Sequence, residues 1–196
     1  YAVHVKGMEP PAYDVRGIKG LGLGFMTSPR GACHLRSCAY ALELTGKFWK
    51  FKDVDRFSSN SKGTEIKEME DLMTAYDSLG VCKFSRGYFL ANGFKEILEC
   101  IDGRELGEGE LLRIGERVNN LKHMFNIREG ITKKDFLLPV RLTSEPIKDG
   151  VSKGQYISEE EMQSMLMDYF RARGWDVNGN VPEHKLKELD LSSSAG

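Results

Sequence analysis

The sequence predicts a mainly α fold, a multihelical single domain with irregular Gly/Pro-rich segments and little sheet. Three observations predict it. Apolar residues recur at three-and-four spacing through several long windows, helix-stop signals close those windows, and no stretch alternates apolar and polar residues as a half-buried strand would. At 196 residues with 40% hydrophobic content, the chain is long enough to bury one substantial core.

In chain order, residues 1–31 hold Gly7, Gly17, Gly20, Gly22, Gly24 and Gly31 together with Pro10, Pro11 and Pro29, so the backbone must turn or approach a neighbour closely there. The run G-L-G-L-G fails as a dinucleotide fingerprint: the third glycine would fall at Phe25 or Thr27, and no strand-like run precedes it. It suits a helix or turn lying against a flat partner, either protein backbone or a planar cofactor. Gly31 to Leu44 lacks β-branched residues and ends at Thr45-Gly46, which predicts one buried helix. A looser stretch, Asp53 to Gly63, precedes a helix from Thr64 to Leu79 with Ile66, Met69, Leu72, Met73 and Tyr76 on one face. Gly93–Ile101 predicts a short helix. Glu108–Ile127 predicts a long amphipathic one whose core stripe is Leu111, Ile114, Val118, Leu121 and Phe125. Pro139–Tyr156 reads as an irregular connection. Ser158 and Glu161 form a capping box before the apolar face Met162, Met165, Leu166, Tyr169 and Phe170, and Gly174 stops that helix. A last short helix, Pro182–Leu189, precedes a serine tail.

Composition narrows the function. A formal net charge of -1 gives no basic footprint for nucleic acid or an anionic membrane surface. The apolar runs are far below the roughly 18 residues that span a bilayer, and the first residues lack a basic-then-apolar leader, so a cytoplasmic protein is expected. The four cysteines, Cys33, Cys38, Cys82 and Cys100, match neither a disulfide framework nor a short metal-binding run.

Two stretches offer chemistry. In R-G-A-C-H-L-R-S-C a single helix would put His34 and Cys38 on one face, with Arg30 and Arg36 nearby. His34 there is either a proton donor or anion binder, or a core histidine satisfied by a carbonyl. In D-S-L-G-V-C, Asp77 would end a helix, Gly80 would allow a left-handed turn and Cys82 would follow it. That turn either presents a thiolate and a carboxylate to a ligand or is a plain helix stop with a buried cysteine. His4, in an extended opening, and His123 and His184, on helices, are expected to be structural or solvated.

Four blocks, A-Y-D-V-R-G-I-K-G-L-G-L-G-F-M-T-S-P-R-G-A-C-H-L-R, D-S-L-G-V-C-K-F, N-I-R-E-G-I-T-K-K-D-F-L-L-P-V-R and M-L-M-D-Y-F-R-A-R-G-W-D, resemble the carboxy-terminal portion of the tungsten-containing aldehyde:ferredoxin oxidoreductases. The resemblance runs from about Lys6 to Leu191, with Val81 in place of the usual Leu and Val15 in place of a common Pro. It implies that residues 1–196 are the carboxy-terminal helical domain of a longer enzyme. That enzyme would oxidise aldehydes to carboxylates with ferredoxin as acceptor, at a tungsten (or molybdenum) bis-pterin centre beside a [4Fe-4S] cluster. By the same resemblance Cys82 would ligate iron, Asp77 with Gly80 would bind pterin, Asp14 and Arg16 would lie near the pterin, and His34 would face the metal as proton donor or substrate-orienting group. The remaining cluster cysteines would belong to amino-terminal and middle domains, the expected partners, so this chain alone should be inactive and metal-free. The start at Tyr1 fits a cut piece. The competing reading is a non-catalytic helical assembly domain that keeps the motifs for packing.

Overall fold

The computed structural model describes residues 2–88 and 91–192, which contain nine α-helices: α1 (Lys19–Thr27), α2 (His34–Ser37), α3 (Ala39–Thr45), α4 (Lys62–Ser78), α5 (Ala91–Asp102), α6 (Glu108–Arg128), α7 (Val140–Ser144), α8 (Glu159–Arg173) and α9 (Glu183–Glu188). Among the described residues β pairing is limited to the isolated bridges Val5–Met8 and Phe48–Phe51, so His4 precedes a tight turn rather than sitting in a strand. Positions 193–196 of the serine tail lie outside the described residues.

Helix α4 is the central element and packs against α1, α2, α6 and α8. Its face Ile66, Met69, Leu72, Met73 and Tyr76 is buried as the spacing predicts. Helix α8 buries Met162, Met165, Leu166, Tyr169 and Phe170, and both its ends follow local signals: Ser158 Oγ accepts from Glu161 N–H, and Gly174 adopts φ +70°.

The glycine-rich run is α1, every residue of which is buried. Its flat partners are protein. A methyl group at Gly20, Gly22 or Gly24 would meet Glu43 Oε1 at 2.8 Å, Ile157 Cδ1 at 2.6 Å or Ser37 Oγ at 2.6 Å. A helix enclosed on all sides cannot solvate its end groups, and distant charges take over that task. Glu43 accepts from Gly20 and Leu21 N–H at the amino end, both at 2.8 Å, and is itself paired with buried Lys62. Lys6 Nζ donates to the Met26 and Ser28 carbonyls at the other end.

Two expectations fail in instructive ways. The predicted helix Gly31–Leu44 is two short helices broken at Cys38, which takes the left-handed φ of +48°. Segment α2 must place Ser37 against Gly24, whereas α3 must swing Glu43 back to the start of α1, and one straight helix cannot reach both. His34 and Cys38 therefore do not share a helical face. In α6 the buried residues are Leu111, Gly115, Asn120 and His123, while Leu121 and Phe125 remain 45% and 54% exposed. Polar bonds turn the helix away from its apolar stripe: Asn119 bonds Thr74 and Asp71, and Asn120 accepts from Trp175.

His123 is the satisfied core histidine. Its ring stacks on Trp175 at 3.7 Å and its Nε2 lies 2.6 Å from the Gly179 carbonyl, which makes Nε2 the donor. Burial, against the smaller opposing pull of the Gly179 bond, pushes its pKa down to about 4. The unfolded chain takes up that proton near pH 6.5 and the folded chain does not, so the stability is complete above pH 6.5 and fades as pH falls through 4. Denaturant titrations between pH 7 and pH 4 should show a loss of about 3 kcal/mol that His123→Gln abolishes; equal slopes in the two proteins would refute this.

Candidate functional site

The end of α4 forms the turn predicted at D-S-L-G-V-C. Gly80 takes φ +68°, its N–H donates to the Asp77 carbonyl at 3.2 Å, and Val81 N–H donates to the Tyr76 carbonyl at 3.1 Å. This pair of bonds reverses the chain and leaves Cys82 exposed at the head of a 3-10 turn, Lys83–Gly87. Asp77 stands in the last turn of α4, where the helix dipole disfavours a carboxylate. Arg36 Nη1 at 2.7 Å and Lys83 Nζ at 3.0 Å offset that repulsion. Both bonds fall on Oδ2, so Oδ1 has no hydrogen-bond partner among the described residues.

Asp14 Oδ1 accepts from the Arg16 backbone at 3.1 Å, and its carboxylate takes the Arg16 guanidinium side-on through Nε (2.9 Å) and Nη2 (2.7 Å). Hydrogen bonding to Arg16 holds Asp14 below the usual carboxylate range, and the same bonds raise Arg16. The pair lines an open cleft with Arg141.

His34 opens α2 half-buried, its ring 5.6 Å from Tyr13 and 5.7 Å from Tyr40, which stack on each other at 5.0 Å. Neither ring nitrogen has a hydrogen-bond partner among the described residues, unlike His123. Partial burial and then the Arg30 charge lower its pKa, so the ring is neutral at pH 7 with one N–H and one lone pair.

The structure brings the sequence-predicted residues together through side chains that sequence reasoning missed. Tyr13, beside Asp14, packs on His34; Tyr40 does the same and accepts from Arg86 Nη2 at 3.1 Å. Burial, more than any neighbour, pushes Tyr40 up to about 12, so its hydroxyl stays protonated. Arg86 Nη1 in turn donates to the Lys83 carbonyl at 2.8 Å, next to Cys82, and Lys83 Nζ holds Asp77. Asp14, Arg16, His34, Asp77, Gly80 and Cys82 thus occupy one connected ridge. The only sequence signal for Tyr13, Tyr40, Lys83 and Arg86 is their place beside or within a few residues of the motifs.

The family model described as aldehyde ferredoxin oxidoreductase, domains 2 and 3, matches residues 1–191. The chain belongs to the aldehyde ferredoxin oxidoreductase family. Relatives named tungsten-containing aldehyde ferredoxin oxidoreductase are 35% identical in Pyrococcus abyssi over 97% of this chain and 34% identical in Pyrococcus furiosus over 96% of it. The chain spans about a third of the length of these relatives, 31% and 30% respectively. A more distant relative, the aliphatic sulfonate oxidoreductase WOR-like subunit of Pyrococcus furiosus, is 25% identical over 99% of this chain and 28% of its own length. The active-site complex BamBC of benzoyl coenzyme A reductase shares the fold, with a TM-score of 0.56 at 18% identity over 70% of this chain and 20% of that one.

The residues present fit the cofactors such a family implies. Cys82 offers an exposed thiol at the head of the turn Lys83–Gly87, which leaves its sulfur open to serve as one ligand of an iron-sulfur cluster. Among the described residues no group of three or more His, Cys, Asp and Glu stands close enough to hold a metal ion, so Cys82 would be a single ligand completed from elsewhere.

Proposed function

We propose that this chain is the cofactor-facing helical part of an enzyme that oxidises aldehydes to carboxylates and passes electrons to ferredoxin. A tungsten (or molybdenum) bis-pterin centre and a [4Fe-4S] cluster, shared with amino-terminal and middle domains, would supply the two-electron redox chemistry when bound. The observation that carries the proposal is the ridge itself: an acceptor oxygen, an exposed thiol and an unpartnered imidazole linked through Tyr40, Arg86 and Lys83.

Each residue has a role that follows from its surroundings. Asp77 is held by Arg36 and Lys83 through one oxygen and presents the other to the N–H groups of a pterin. Cys82 offers a thiolate to iron, and Arg86 steadies the loop that carries it. Asp14 and Arg16 form a preset ion pair beside the pterin. His34, neutral and held by Tyr13 and Tyr40, donates a hydrogen bond to the aldehyde oxygen as charge builds there, or takes up a proton released in the oxidation. Aldehydes are favoured over sulfonates because the relatives named for aldehydes are the more similar ones. No helix among the described residues is long and apolar enough to cross a membrane, in keeping with a cytoplasmic enzyme.

The test is metal analysis with intact mass on the native protein purified without oxygen. About four irons per tungsten or molybdenum, in a species that contains this sequence, is the expected result. Cys82→Ser in that species should lower iron content and alter the cluster's electron paramagnetic resonance signal. A metal-free native species would favour the assembly-domain reading instead.

A further inference from the structure

Behind the Asp77 end of the ridge lies a small, largely enclosed cavity of about 20 Å³ between α1, α4 and α6. Its walls include Arg36, Lys6, Thr27, Glu70, Asn119 and Asn126. Most of these polar groups are engaged with protein. Thr27 Oγ1 donates to Glu70 at 2.7 Å, Asn126 Nδ2 donates to the Pro29 carbonyl at 2.7 Å, and Asn119 Nδ2 donates to Asp71 at 2.8 Å. Arg36 is the exception. Its Nη1 reaches outward to Asp77, while its Nε is buried and makes no hydrogen bond to protein.

A buried guanidinium N–H without a partner is destabilising, because its desolvation is uncompensated. Native proteins rarely leave such a group bare, and the usual remedy where no side chain reaches is an ordered water. A water needs a volume of at least about 10–15 Å³ on a probe-sphere measure and two to four polar partners. This cavity meets the first requirement, is too small for a phosphate-sized anion, and is lined by both Arg36 and Glu70. Glu70 Oε2 already accepts from Tyr169 and Arg173, but among the described residues Oε1 accepts only from Thr27 and can take a second bond, so a water has both a donor to accept from and an acceptor to donate to.

We infer that this cavity is a water-binding site in which one ordered water accepts from Arg36 Nε and donates to the polar wall around Glu70. The water fixes the inner edge of the guanidinium, so that its outer edge is aimed at Asp77 Oδ2. Arg36 then acts as a positioning residue: it orients the Asp77 carboxylate from behind and keeps Oδ1 turned outward. The site depends only on this chain and stands whatever Asp77 binds.

A crystal structure of the native protein that contains this sequence, at a resolution that shows ordered solvent, tests this directly. The expected result is a density peak within hydrogen-bond distance of Arg36 Nε and of at least one further polar wall atom. In solution, the Arg36 Hε resonance should show a cross-peak to a long-lived water. Arg36→Lys keeps a cation for Asp77 but removes Nε, and should lose the peak; Asp77→Asn, altered only on the outer side, should retain it. A dry cavity, an Arg36 Nε bonded to a protein oxygen, or a water that persists unchanged in Arg36→Lys would each overturn the inference.

Discussion

Gly115→Ala should destabilise the protein by about 2 kcal/mol net, although alanine is the better helix former by roughly 1 kcal/mol. Gly115 is where α6 crosses α4, and a Cβ there would lie 2.0 Å from the Asp71 carbonyl oxygen and 2.7 Å from its carbonyl carbon. Those are backbone atoms of a buried helix, so the clash is relieved only by separating the two helices. Separation would also strain the bonds Asn119 makes to Thr74 and Asp71 across the crossing. Thermal unfolding should register a fall in Tm of roughly 4–8 °C. Gly109→Ala, in the first turn of the same helix with nothing within 4 Å, is the internal control and should raise Tm slightly. An unchanged Tm in Gly115→Ala would mean that the helices do not cross as closely as described.

Arg173→Met should cost more, about 3–5 kcal/mol, because it strands buried carboxylates. Arg173 is 0% exposed and lies on α8. Its Nη2 donates to Glu70 at 2.8 Å, its Nε to the Tyr169 hydroxyl at 2.8 Å, and its Nη1 to Asp71. Attraction to Asp71, Tyr169 and Glu70 outweighs the burial penalty and holds the guanidinium well above its ordinary pKa. Removing the cation leaves Asp71 and Glu70 to face each other in the core, with Lys67 the remaining close cation on Asp71. Adding Glu70→Gln to Arg173→Met should return part of the loss, since one stranded charge disappears. A double-mutant cycle over the four proteins measures that coupling, and additive losses would show that the two residues do not share a network.

Helix limits were the most legible feature. The ends of α8 and the turn after α4 rest on contacts between residues a few positions apart: Ser158 with Glu161, Arg171 and Phe170 with Gly174, Tyr76 with Val81. Such contacts leave local residue types as their trace. The face of α6 was misread because apolar periodicity counts Leu121 and Phe125 as core without weighing Asn119, Asn120 and His123, whose partners lie on other elements. The break at Cys38 was hidden for a similar reason: nothing between Gly31 and Leu44 discourages a helix, and the demand comes from Gly24 and from Gly20 N–H.

By itself, the sequence determined that this is a helical chain with a carboxylate, a glycine turn and a cysteine at one helix end, a lone histidine in an Ala/Leu-rich segment, and motifs that mark its family. Only the tertiary structure decided which of these groups are unpartnered and which meet. Arg173 and Asp71 are 102 positions apart, and Glu43 reaches Gly20 across 23. A buried charge is stable only where the fold supplies its partner, and that partner leaves no periodic trace in the chain. The same holds for the ridge, where Tyr13, Tyr40, Arg86 and Lys83 join motifs that in sequence are merely near one another.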